Sequence, residues 1–135
     1  MRLLVVVEEA ISAELLRSVA RGLAPDAEVL VVAPATTGSP LRFWVSDVDR
    51  AIARAEEAEV ETVERLEEAG IDAAGEVGDS EPLVAIHDAL ATFAADRIVL
   101  VGHEPDGRDY REDGHLAAAV RERFGLPVDV GTVSR

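Results

Sequence analysis

Asp96-Arg-Ile-Val-Leu-Val-Gly102 is the stretch that decides the fold, together with the polar segment 103–114 and the apolar-periodic segment that starts at His115. The apolar run ends at a glycine, acidic residues follow, and a second glycine, Gly114, precedes the periodic segment. A strand, a glycine-containing loop and a helix in this order are typical of α/β sheets that bind phosphates at the carboxyl ends of their strands. We therefore predict an α/β fold with its candidate ligand site in this loop.

Strands and helices alternate along the rest of the chain. The predicted strands are Leu3–Val7, Glu28–Ala33, Ile71–Val77, Arg97–Val101 and Leu126–Val133, and helices are predicted to begin near residues 12, 46, 82 and 114. This alternation predicts one domain, residues 1–135, with a three-layer α/β/α sandwich and a five-stranded parallel sheet in the order 3-2-1-4-5. The first strand is placed at the centre because it has no polar residue, whereas the third carries Asp72 and Glu76 and suits an edge.

Helical spacing predicts which side chains face the sheet. The expected inward positions are Leu15, Val19 and Leu23 in the first helix; Val48, Ile52, Ala55, Val63 and Leu66 in the second; Leu83, Ile86, Leu90 and Phe93 in the third; and Leu116, Val120 and Phe124 in the fourth. His87 lies at the border of the inward-facing side of the third helix, and we expect it to be a half-buried packing residue. Glu61 and Arg65 are spaced to form an ion pair on the exposed face of the second helix.

Composition excludes several classes of function. The chain has 27 acidic residues against 13 basic ones, a formal charge of −14, and no cysteine. Such a charge repels nucleic acid, so we expect no nucleic-acid partner. Every basic residue is arginine, which excludes a phosphate-loop lysine and a Schiff-base lysine. The apolar amino-terminal run ends at Glu8, too early for a signal peptide or a membrane span, so we expect a cytoplasmic protein without a membrane partner.

Glu8 and Glu9 directly follow the first strand, where open α/β sheets place ligand contacts. Two adjacent acids hold Mg²⁺ in phosphorelay receiver domains. That activity also needs an aspartate at the end of the third strand and a lysine after the fifth, and this chain ends its third strand with Glu76-Val77-Gly78 and has no lysine. We therefore expect these two glutamates to face water or the amides of a helix end.

Two further groups of residues were weighed as ligand sites. His103 and His115 lie twelve residues apart and, with Glu104, Asp106 and Asp109, have the donor atoms of a metal site. That spacing within a loop favours a solvated charged segment, so we expect no metal. The pair Phe43-Trp44 is expected to cover a sheet edge or an interface rather than to stack on a ligand. No serine stands in a nucleophile-elbow sequence, and we expect no catalytic residue.

Taken together, these features resemble the universal stress protein family over essentially the whole chain. The motifs that carry the resemblance are the acid after the first strand (Leu4-Val-Val-Val-Glu8), the helix start at Gly78-Asp79, the run Ala94-Ala-Asp-Arg-Ile-Val99 and the closing Leu126-Pro-Val128. With its segment Arg42-Phe43-Trp44, the chain looks especially like a divergent actinobacterial-type branch of this family. The resemblance implies a universal-stress-protein-like fold, which is also that of the adenine nucleotide alpha hydrolases.

Family members that bind ATP carry, after their fourth strand, Gly, two residues, Gly, nine residues, and Gly followed by Ser or Thr. Gly102 matches the first position, Pro105 replaces the second glycine, Gly114 comes one residue early, and His115 replaces the hydroxyl residue. Proline has no amide to donate to a phosphate. The five acids between Gly102 and His115 outnumber the two arginines there, so a triphosphate meets net repulsion unless a cation mediates the contact.

The resemblance therefore implies a non-enzymatic domain with a degenerate ATP site, which acts through dimerisation and through a protein partner or a small ligand. No cofactor is expected; the alternative is a stress-response protein that binds ATP or AMP through a rebuilt loop, and a small enzyme with the same sheet is a third reading. The candidate ligand residues are Glu8, Gly102, His103, Gly107, Arg108, Gly114 and His115. The homodimer is expected to pair the fifth strands through Val128, Val130 and Val133, with Asp129 and Arg135 setting the register.

Overall fold

The computed structural model describes residues 1–35, 45–103 and 115–133 of the chain. Its elements are β1 (Arg2–Val7), α1 (Ala13–Val19), β2 (Glu28–Pro34), α2 (Val45–Glu68), β3 (Asp72–Gly78), α3 (Pro82–Thr92), β4 (Arg97–His103), α4 (His115–Phe124) and β5 (Val128–Val133). The strands form one sheet in the order β3-β2-β1-β4-β5, and every pairing is parallel. The predicted architecture and strand order are confirmed.

The sheet divides the core into two layers, because alternate side chains of a strand point to opposite faces. Leu3, Val5 and Val7 of β1 pack in one layer with residues of α1 and α2. Leu4 and Val6 pack in the other layer with residues of α3 and α4. Arg2 is exposed, but the other five side chains of β1, from Leu3 to Val7, are fully buried, as expected for a central strand covered on both faces.

The first helix is shorter than its apolar spacing predicts. Ser12 caps α1, since its hydroxyl accepts a hydrogen bond from the Leu15 amide at 3.1 Å. The helix ends at Val19, and Gly22 follows with a φ of +80°, a conformation that glycine adopts without strain. Leu23 is therefore outside the helix, although its side chain still packs against the core of that layer.

Two predicted packing positions are wrong. Ile52 is 43% exposed, because the stripe of α2 that faces the sheet consists of Ala51, Ala55, Ala58, Thr62 and Leu66. Ile52 follows Ala51 by one residue, which turns its side chain about 100° away from that stripe. His87 is also exposed, on the outer face of α3, with Nδ1 3.5 Å from the carboxylate of Asp88. The predicted Glu61–Arg65 ion pair is confirmed, with 2.6 Å between Oε1 and Nη2.

Polar contacts join the amino ends of three strands. The Arg2 amide donates to Asp96 Oδ2 and the Asp96 amide donates to the Arg2 carbonyl, each at 2.8 Å. Arg97 of β4 forms an ion pair with Asp129 of β5, and its Nη1 also donates to the carbonyl of Arg21 at 3.0 Å. The carboxylate of Asp129, predicted to set the register of a dimer, is thus paired within its own chain.

Candidate functional site

The strand order reverses between β1 and β4. The chain leaves β1 through α1 towards β2 on one side, and leaves β4 through α4 towards β5 on the other. Because α1 and α4 pack on opposite faces of the sheet, the connections that follow β1 and β4 diverge at its carboxyl edge. Open parallel sheets bind ligands in the crevice that such a divergence creates.

Glu8 lies at this reversal point, as predicted. Val7 of β1 is paired with Val101 of β4, and the Glu8 amide donates to the Val101 carbonyl at 3.4 Å. The main chain of Glu8 therefore stays beside β4 for one residue after β1 ends. Glu8 and Glu9 are both half-buried.

Gly102 and His103 lie inside β4 and not in the loop after it. Gly102 is paired with Thr132 and His103 with Val133 of β5, so the predicted strand end at Val101 is wrong by two residues. The strand continues because β5 extends to Val133 and offers main-chain partners that the sequence of β4 alone does not reveal. Gly102, predicted to open the phosphate loop, is a buried residue of the sheet.

The structure brings part of the predicted site to one edge. Glu8 directly follows β1, Gly102 lies on the neighbouring strand β4, and His115 is the exposed first residue of α4. Gly107, Arg108 and Gly114 lie outside the described residues, as do the side chain of His103 and the pair Phe43-Trp44. Among the described residues, no group of three or more His, Asp or Glu side chains is arranged to hold a metal ion.

Thr62 of α2 binds the segment that leads away from this edge of the sheet, a role that its sequence position does not predict. Its side chain is fully buried, its hydroxyl accepts a hydrogen bond from the Ile11 amide at 3.1 Å, and it donates to the Ala58 carbonyl at 2.7 Å. The contact ties the segment between β1 and α1, which carries Glu8 and Glu9, to the middle of α2. A hydroxyl residue at a position where the helix otherwise buries alanine and leucine was the signal available in the sequence.

The neighbouring connection between β3 and α3 is compact. The Ala35 amide donates to the Gly78 carbonyl at 3.2 Å, and Asp79 Oδ1 accepts from the Glu81 amide at 2.9 Å just before α3 begins. A methyl group at Gly78 would lie 2.7 Å from the Cβ of Ala85, so only glycine lets α3 approach the strand this closely. The predicted helix start after Gly78-Asp79 is confirmed at Pro82.

No helix within the described ranges is long and apolar enough to cross a membrane.

Comparison with known proteins finds likeness in structure. The chain matches no protein-family model and no curated protein. It is similar to the universal stress protein from Archaeoglobus fulgidus, with 22% identity and a TM-score of 0.59 over 97% of this chain and 93% of that one. It is also similar to a universal stress protein family protein from Arabidopsis thaliana with AMP bound, with 13% identity and a TM-score of 0.59 over 100% of this chain and 92% of that one. Because both likenesses span nearly all of both chains, this chain has the universal stress protein fold.

Proposed function

We propose that the chain is a non-enzymatic domain of the universal stress protein type, which acts through dimerisation and through a protein partner or small ligand at a degenerate nucleotide site. The observation that supports this is the combination of a retained reversal point, where Glu8 borders β4, with Gly102 held in the sheet ladder. A glycine in a ladder has its main chain engaged with strands and not with a phosphate. We also propose that the protein is cytoplasmic.

We expect a low affinity for ATP because the segment lacks amide hydrogen-bond donors that ATP-binding members have. Pro105 stands where ATP-binding members have a glycine amide, and the acids of segment 103–114 add repulsion. One or two lost amide–phosphate bonds, at about 1.5–3 kcal/mol each for a charged acceptor, reduce affinity by about one to four orders of magnitude. Of the three nucleotides, ATP should lose the most affinity because its triphosphate carries the highest charge.

Calorimetric titration with ATP, ADP and AMP, with and without Mg²⁺, tests the proposal. We expect no saturable binding of ATP at micromolar concentration. If an anionic ligand binds, Arg108→Ala should weaken its binding and leave the melting temperature unchanged, because we propose Arg108 as the side chain that contacts its phosphate. Arg54→Ala, the same change on the exposed face of α2, should have no effect on binding. Micromolar ATP binding that Arg108→Ala leaves unchanged contradicts this view of the segment.

A second candidate function is adenine-nucleotide binding through a rebuilt loop. The structural neighbour with AMP bound favours it. A monophosphate needs fewer amide donors than a triphosphate, so the same titration separates the two candidates. Saturable AMP binding without ATP binding supports recognition of the adenosine part in a site that has lost its triphosphate loop.

The dimer is proposed at the free edge of β5. Within the described residues β5 pairs only with β4, and Val130 and Val133 are half-buried. Unpaired strand edges are commonly covered or paired in stable proteins. Light scattering at tens of micromolar protein should therefore give about twice the chain mass of 14.4 kDa.

A charge at that edge should separate the protomers. Val133→Glu places like charges on both sides of an isologous contact, and we expect the measured mass to halve. Val60→Glu makes the same change on α2, where Val60 is 43% exposed, and should leave the dimer intact. A monomer mass for the unaltered protein contradicts the proposed dimer.

A further inference from the structure

Glu59 of α2 lies against Gly75 of β3. A methyl group added at Gly75 would come within 2.1 Å of Glu59 Oε2 and 2.9 Å of Val63 Cγ2. The missing side chain of Gly75 thus makes room for a carboxylate between the helix and the strand. Glu59 is half-buried there, whereas Glu56 and Glu57 on the same helix are exposed.

The charges around this carboxylate are of its own sign. Glu56 lies one turn earlier on α2, and Glu76 is the next residue along β3. None of the ion pairs formed by described residues includes Glu59; the one within α2 joins Arg65 to Glu61. Burial, and then the charges of Glu56 and Glu76, raise the pKa of Glu59 above its ordinary value.

The strand beneath Glu59 lies at an edge of the sheet. β3 is an edge strand that pairs with β2 only, and Asp72, Ala74 and Glu76 are exposed. Its attachment depends on one ladder and on the packing of α2 and α3. A repulsive charge seated between α2 and the strand therefore acts on a strand that has a ladder on one side only.

We propose that the contact between Glu59 and Gly75 is a pH-dependent latch, which holds the edge strand β3 firmly to α2 when the carboxyl group is protonated and loosely when it is ionised. In the opened strand the carboxylate returns to water, away from Glu76. Because the Gly78 carbonyl accepts from the Ala35 amide, loosening β3 also loosens the end of β2 at the carboxyl edge of the sheet.

The direction of the pH dependence follows from linkage. A carboxyl group whose pKa is raised in the closed state binds its proton more tightly there than in the open state. Its stabilising contribution is complete below the pKa of the open state and is lost as the pH rises through the raised pKa of the closed state. The latch therefore weakens from mildly acidic towards neutral pH.

Amide hydrogen exchange of β3 in the full chain tests this. In Glu59→Gln, which keeps the shape and removes the charge, the amides of residues 72–78 should exchange about three- to tenfold more slowly than in the unaltered protein at neutral pH. The two proteins should converge below the open-state pKa of Glu59, whose ordinary value is 4.5, and the ratio at each pH cancels the intrinsic exchange rate. Glu57→Gln removes the same charge from an exposed position of α2 and should leave the ratio at one throughout.

A double-mutant cycle with Gly75→Ala tests the geometry. The added methyl group expels the carboxylate from its place, so Glu59→Gln should change β3 exchange little in the Gly75→Ala background. The proposal is overturned if Glu59→Gln leaves β3 exchange unchanged at neutral pH, if Glu57→Gln acts equally, or if the effect is the same with alanine at position 75.

Discussion

Replacing Leu100 by alanine is expected to lower the free energy of unfolding by about 2–5 kcal/mol. Leu100 is fully buried in β4, where it pairs with Val6 of β1 and Val130 of β5. It belongs to the layer that also contains Ile86 of α3 and Val120 of α4, so neighbours on both strands and helices enclose the cavity that the substitution leaves. A cavity enclosed on every side cannot collapse cheaply.

Urea denaturation followed by circular dichroism measures this loss. The midpoint should fall while the slope of free energy against urea stays the same, since the surface exposed on unfolding hardly changes. Val84→Ala on α3, where Val84 is 40% exposed, is the control and should cost less than about 0.5 kcal/mol. A loss below about 1 kcal/mol for Leu100→Ala would contradict the packing described for this layer.

Thr62→Val is expected to cost about 1–3 kcal/mol although valine has nearly the same volume. The substitution leaves the Ile11 amide without its hydrogen-bond acceptor in a buried position. The loss of stability should also be local, because the Ile11 amide belongs to the segment between β1 and α1 that contains Glu8. Hydrogen exchange at Ile11 should quicken more than exchange in β1.

The matched control is Thr92→Val. The Thr92 hydroxyl donates at 3.4 Å to the Ala89 carbonyl of its own helix, at an exposed helix end, so its removal should cost little. Equal losses for the two variants would show that the Thr62 hydroxyl contributes nothing beyond its own helix.

The sequence predicted the architecture because its strongest signals are local. The apolar run of β1, the polar residues of β3 and the helix-ending glycine at Gly70 each report on their own segment, and each agrees with the structure. Apolar spacing also located the sheet-facing side of α3 and α4 at Ile86 and Val120.

The predictions that failed depend on a partner elsewhere in the chain. The end of β4 depends on how far β5 runs, and the sequence around Gly102 holds no information on that. Ile52 is apolar and correctly spaced for a broad stripe, but α2 faces the sheet with small residues that allow close approach. Thr62 binds an amide 51 positions away, a pairing that spacing within α2 cannot reveal.

The candidate site was predicted only in part. Its framework, the reversal point beside Glu8, follows from strand order and was predicted with it. Most of the other candidate residues belong to segment 103–114, where binding would depend on loop geometry and not on periodicity. Gly107 and Arg108 are on that connection, outside the described residues, and their role stays a prediction.

The contacts of Arg2, Asp96, Arg97 and Asp129 join strands at the amino end of the sheet, opposite the edge where ligands bind in such folds. A chain fastened at that end can exchange residues at the other without losing its architecture. We therefore expect substitutions in the connection after β4 to affect ligand binding more than folding. Such a separation between the end that holds the fold and the end that binds ligands allows one scaffold to serve different ligands.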